Sequence, residues 1–176
     1  MKFGWNDGGF FSATTGYVGF VSNSYNNSIA VTGEDSTFQL ATTYLGFEGS
    51  SSNHIEVLNG GTANLGKFWI GVTSNSSYNS VLVDGTNSSL TAGEFVVAHG
   101  SQFNTVTITN GAHVSADGLV IGAGTNAANN SILVTGVGSS LDASGITLGQ
   151  PDHLPSFNNG LTIENDGKVT AGALTI

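Results

Sequence analysis

The sequence predicts an all-β chain wound into a right-handed parallel β-solenoid of about seven three-stranded rungs. Three observations carry that expectation. A unit of about 26 residues recurs along all 176 residues. Within each unit apolar and small polar residues alternate with a period of two, which is the spacing of strands. Turn dipeptides such as Asn-Gly and Asp-Gly fall between the alternating stretches, where both residues tolerate positive φ.

The repeat is clearest at its first residue. Asn27, Asn53, Asn79, Asn104, Asn130 and Asn159 open successive units at intervals of 26, 26, 25, 26 and 29 residues. The consensus reads N-S-[IV]-x-[VI]-x-G-x-x-S-x-[LV]-x-A-x-G-[LIF]-x-[LIV]-G, followed by a polar loop. MKFGWNDGGFFSATTGYVGF fits a divergent first unit, with Phe3 and Trp5 as its opening apolar pair. The rungs then run over about 1–26, 27–52, 53–78, 79–103, 104–129, 130–158 and 159–176, in one domain. Stacked about 4.8 Å apart they span about 30–35 Å. A sandwich of antiparallel hairpins would not keep the same residue type at corresponding positions of successive units.

Each element follows from the pattern. In the unit opened by Asn104, strands are expected over 106–108, 114–116 and 119–121, with turns at Asn110-Gly111 and Asp117-Gly118. Stacking places Ile29, Ile55, Val81, Val106, Ile132 and Leu161 in one interior row, and Val31, Val57, Val83, Ile108, Val134 and Ile163 in the next. A third row holds Phe38, Leu90, Val114, Leu141 and Val169. A fourth holds Val18, Leu45, Ile70, Val97, Ile121, Leu148 and Ile176. The small row Ala92, Ala116, Ala143 and Ala171 is expected at a bend. Burial of these rows, at about 25 cal/mol per Å², supplies the stability. The six asparagines are expected to form a ladder at a corner, each carboxamide bonded to those above and below.

Composition narrows the function classes. Twelve Asp and Glu against three Lys and no Arg leave a net charge of −9. Such a chain is repelled by nucleic acid and by anionic membranes, so neither is an expected partner. With no cysteine there is neither a disulfide frame nor a thiolate metal site. No apolar run approaches the ~20 residues that span a bilayer. The opening lacks the apolar region of a secretory signal, so an exported protein would carry its signal upstream or have lost it.

Sites for chemistry are scarce. His54, His99, His113 and His153 fall at different phases of the repeat and define no metal site, and no cofactor is expected. Among Glu56, Asp84, Glu94, Asp117, Asp142 and Glu164, the pair Glu56 and Asp84 is expected on one outer face in neighbouring rungs. That pair is the suggestive one for carbohydrate chemistry, though the lyase kind also wants an Arg or Lys base. Thr105, Thr107 and Thr109 form a flat hydroxyl array, but the adjacent units do not repeat it. Sequons at Asn26, Asn75, Asn87 and Asn129 matter only in a glycosylating host. The outward column Tyr17, Tyr44, Trp69, Val96 and Val120 forms a lateral stripe suited to contact. The ends, Phe3 and Trp5 at one and Leu174 and Ile176 at the other, offer strand edges for another rung.

The motifs N-S-[IV]-x-V, G-S-S-L-x-A at 138–143 and L-x-[IV]-G at 119–122 resemble the β-helical passenger repeats of bacterial autotransporters and related surface proteins. The resemblance covers nearly the whole chain and implies a secreted, cysteine-poor, acidic stalk at the cell surface. It implies adhesion, aggregation or display, with activity in inserted loops. The longest loop between units here is GQPDHLPSFN. The expected function is thus an extracellular structural or adhesive module without catalysis. Its expected partners are further copies of itself, and a surface glycan or protein receptor. A carbohydrate-active β-helix enzyme or a glycan-binding module is the alternative.

Overall fold

The computed structural model describes residues 8–150 and 156–176 in full and residues 2–6 as backbone. The side chains of Phe3 and Trp5, as well as His153, lie outside the described residues. Sixteen strands follow in order. They are β1 (Lys2–Asn6), β2 (Phe10–Val18), β3 (Ser28–Thr32), β4 (Thr37–Leu45), β5 (His54–Leu58), β6 (Thr62–Ile70), β7 (Ser80–Asp84) and β8 (Ser89–Val97). Then come β9 (Thr105–Thr109), β10 (His113–Ile121), β11 (Ser131–Thr135), β12 (Ser140–Ala143), β13 (Ile146–Leu148), β14 (Gly160–Glu164), β15 (Lys168–Ala171) and β16 (Leu174–Thr175). All pairing between them is parallel. The short strands make a seven-stranded sheet in the order β1-β3-β5-β7-β9-β11-β14, and the long ones a second sheet running from β15 to β2. The chain is therefore an all-β parallel solenoid with a rung count close to the expected seven. Among the described residues no helix is long and apolar enough to cross a membrane.

Two of the three strands expected per rung join into one. From β2 to β10 the second and third run as a single nine-residue strand. Asp117-Gly118, expected as a turn, lies inside β10. The inward residues explain how the strand bends without breaking. In β6 they are Ala63, Leu65, Phe68 and Ile70, so one spacing is three instead of two and the pleat shifts over Gly66-Lys67. The strand separates into two pieces only in the last rungs, as β12 with β13 and β15 with β16.

The register confirms the interior rows and adds one. Ile29, Ile55, Val81, Val106, Ile132 and Leu161 pair in sequence, as expected. The added row is Gly16, Thr43, Phe68, Phe95, Leu119, Ile146 and Leu174. Its contents explain the filling of the lumen. In the first two rungs the large rings stand in the third expected row, where Phe11 and Phe38 stack at 5.7 Å. In the next two they cross to the added row, where Phe68 and Phe95 stack at 5.1 Å. Ala63 occupies the vacated position beside Phe68, and Leu40 reaches toward the space that Gly16 leaves open. The expected small row Ala92, Ala116, Ala143 and Ala171 pairs in sequence, and its column continues back through Leu65 and Leu40 to Ala13, so it is large in two rungs. Close packing demands a constant volume per rung, and the large side chains trade rows to keep it.

The corner between the two sheets alternates in length. Its turns are residues 33–36, 59–61, 85–88, 110–112, 136–139 and 165–167, so four and three residues follow each other along the stack. Each four-residue turn ends in a buried serine, Ser36, Ser88 or Ser139. That hydroxyl accepts the glycine N–H of the rung before: Gly8 to Ser36 at 3.1 Å, Gly60 to Ser88 at 2.9 Å and Gly111 to Ser139 at 3.0 Å. The structural unit is thus a pair of rungs.

Candidate functional site

The asparagines form the expected ladder. Nδ2 of Asn27, Asn53, Asn79, Asn104 and Asn130 donates to Oδ1 of the next asparagine at 2.9–3.1 Å. Each donor residue also sends its backbone N–H to the same oxygen. Asn53, Asn79, Asn104 and Asn130 are completely buried, so the bonds are made away from water, where an unmade one is costly. A serine three residues earlier takes the second amide proton through its hydroxyl or carbonyl at Ser24, Ser50, Ser76, Ser101 and Ser156.

One rung departs from this pattern in a correlated way. Gly19, Gly46, Gly71, Gly122 and Gly149 close the long strands at φ between 61° and 81°. A Cβ on Gly71 would collide with Ser101 Oγ, and one on Gly19 with Ser50 Oγ, each in the following rung. Ala98 holds the same position at φ 71° and is buried. The residue that follows it one rung on, where the serine belongs, is Ala127. The added methyl and the missing hydroxyl occur together, and Asn130 Nδ2 bonds Ser101 O instead at 3.1 Å.

The lateral stripe is wider and shorter than expected. Tyr17 and Tyr44 stack at 5.1 Å, and Tyr44 meets Trp69 edge-on at 6.3 Å. Phe20 and Phe47, in a second column, stack at 5.7 Å and touch Tyr17. Trp69 makes three further contacts. Lys67 Nζ lies 3.6 Å from its ring centroid, His99 stacks on it at 4.6 Å, and Nε1–H donates to Glu94 at 3.1 Å. Val96 corrects the expectation: at 3% exposure it is covered, so the exposed stripe stops at Trp69. Val120 is half-buried. Phe20 and Phe47 were missed because they follow the closing glycine, outside any strand alternation.

A second aromatic pair was also missed. Tyr78 and Phe103 each precede a ladder asparagine, at φ 60° and 57°, and their rings stack at 5.1 Å with only 6° between planes. Holding a bulky residue in that region costs about 1–3 kcal/mol. The stack returns about 0.5–1.5 kcal/mol. Aligning the residues before the six asparagines would have exposed the pair.

Glu56 and Asp84 lie on one outward face of neighbouring strands, as expected, but two positions out of register: Glu56 is opposite Leu82 and Asp84 opposite Leu58. Asp84 Oδ1 accepts instead from Asn110 Nδ2 at 2.6 Å. His54 Nδ1 contacts Ser80 Oγ at 2.6 Å, and His113 Nδ1 contacts Ser140 Oγ at 2.8 Å and Asp142 Oδ2 at 3.8 Å. Both His113 contacts fall on one ring nitrogen, which leaves no relay from carboxylate through imidazole to hydroxyl. Among the described residues no group of three or more His, Asp or Glu could hold a metal ion. The Thr105, Thr107 and Thr109 array is flanked by Leu82 and Leu133.

At the C-terminal face, Ile163, Leu174 and Ile176 are 50%, 58% and 91% exposed. Comparison with known proteins finds no matching family model, curated protein or solved structure.

Proposed function

We propose that this protein is an extracellular structural and adhesive module, without catalysis, that associates by adding rungs to its ends. The observation that carries the reading is the in-register parallel stack, whose interior rows any further rung, of the same chain or of another, would continue. Val134 and Ile146 are 0% and 2% exposed, whereas Ile163 and Leu174, which follow them in the same rows, are half exposed or more. A further rung against β14, β15 and β16 would bury these side chains and pair the strand edges. A second copy of the chain is one source of that rung. The exterior location rests on the passenger-like repeats and on stability built from stacking without cysteine.

Light scattering and electron microscopy of the purified chain test it. Association should grow with concentration and weaken in Ile163→Lys, which puts a charge in an interior row. Weakening in Phe20→Ser alone would make the lateral stripe the contact. A wild-type chain that stays monomeric at high concentration would sink the proposal. Incubation with pectin, alginate and host-type glycans should yield no new reducing or unsaturated ends, and turnover would overturn the non-catalytic reading.

A further inference from the structure

The column before the ladder holds small polar residues in four rungs: Asn26, Ser52, Asn129 and Asn158, at φ 55–56°. The two middle rungs carry Tyr78 and Phe103 there instead, 58% and 41% exposed. Each ring hides one face against the other. The next residues in the column, Ser52 and Asn129, are too short to cover the remaining faces. The pair therefore offers two flat apolar surfaces along the solenoid axis, each beside a hydrogen-bonding side chain. Asn129 Oδ1 accepts from Asn158 Nδ2 at 3.3 Å.

We propose that Tyr78 and Phe103 form a binding subsite for a neutral linear carbohydrate. A sugar ring has an apolar C–H face about as large as one aromatic ring, with hydroxyls at its rim. It thus requires what this column supplies: a ring face next to hydroxyl or amide. The net charge of −9 disfavours anionic polymers. A protein partner would need about 800 Å² on each side, and two rings of about 150–250 Å² each do not supply it. The site is independent of the end-to-end association proposed above, which uses other residues.

The test titrates the full chain with a β-1,4-linked glucose hexasaccharide and, separately, a β-1,4-linked N-acetylglucosamine hexasaccharide. It follows the ring resonances of both residues. At least one sugar should shift both rings saturably. Tyr78→Ser and Phe103→Asn, which copy the column's other rungs, should each weaken binding by about tenfold or more. Their unfolding temperatures should be unchanged or raised. No saturable shift with either sugar overturns the proposal. So does a fall of several degrees in both variants, which would make the pair structural. Ring shifts that follow protein concentration alone would assign it to a contact between copies and overturn it as well.

Discussion

Asn53 and Asn79 are joined through a single oxygen: Asn79 Oδ1 accepts both the backbone N–H and the side-chain amide of Asn53, each at 3.0 Å. Every rung of the ladder repeats the relationship, so removing one carboxamide strands two buried donors at once. Asn79→Ala is expected to cost about 2–5 kcal/mol in urea unfolding. Asn64→Ala, on the exposed side of β6, should stay within about 0.5 kcal/mol. Equal effects would deny the ladder its role.

Ala98 and Ala127 should behave as one unit. Ala127→Ser restores the hydroxyl that other rungs carry but drives it toward the Ala98 methyl, so alone it should destabilise by about 1–3 kcal/mol. Combining it with Ala98→Gly should recover the loss, with a coupling of about 1–2 kcal/mol in a double-mutant cycle. Additive values would mean the two alanines share a rung boundary by coincidence.

Thr43 Oγ1 is buried without a hydrogen-bond partner among the described residues. It sits in the interior row between Gly16 and Phe68, where a hydroxyl gains nothing. Thr43→Val keeps the shape and removes the desolvated group. It should raise stability by about 1 kcal/mol. A thermal melt showing a decrease would point to a bond made by that hydroxyl.

The alternating turns set which deletions the stack tolerates. Removing residues 53–103 takes out one three-residue and one four-residue turn, so the alternation survives. Removing only 53–78 puts the turn ending in Ser88 directly after the one ending in Ser36, with no Gly60 N–H to receive. The longer deletion should melt nearer to the intact chain than the shorter one. The reverse order would show that rungs act singly.

Much of this was legible because a solenoid repeats its environment at a fixed interval. Asn27 to Asn159 announced the ladder by spacing alone, and the Ile29 row followed from the alternation beside it. The alternation of turns is not legible, because in the rungs with corners 33–36 and 85–88 the return loop is shorter by one or two residues and the interval stays near 26. The outward direction of the Tyr17 column is legible in the sequence, but its exposed extent is not: Val96 shares that column and is buried. The shared face of Glu56 and Asp84 is legible from the alternation, but their offset of two positions is set by the strand register.

By itself the sequence determined which residues share a row, since a period of two and a constant interval leave a single register for parallel stacking. Only the tertiary structure decided how each row is filled and which side chains are covered. The aromatic rings of Phe38 and Phe68 stand in different rows, yet both are fully buried because their neighbours shrink to Thr43 and Ala63. Volume in a packed lumen is shared between side chains of several rungs, and no single unit of the repeat contains that sum.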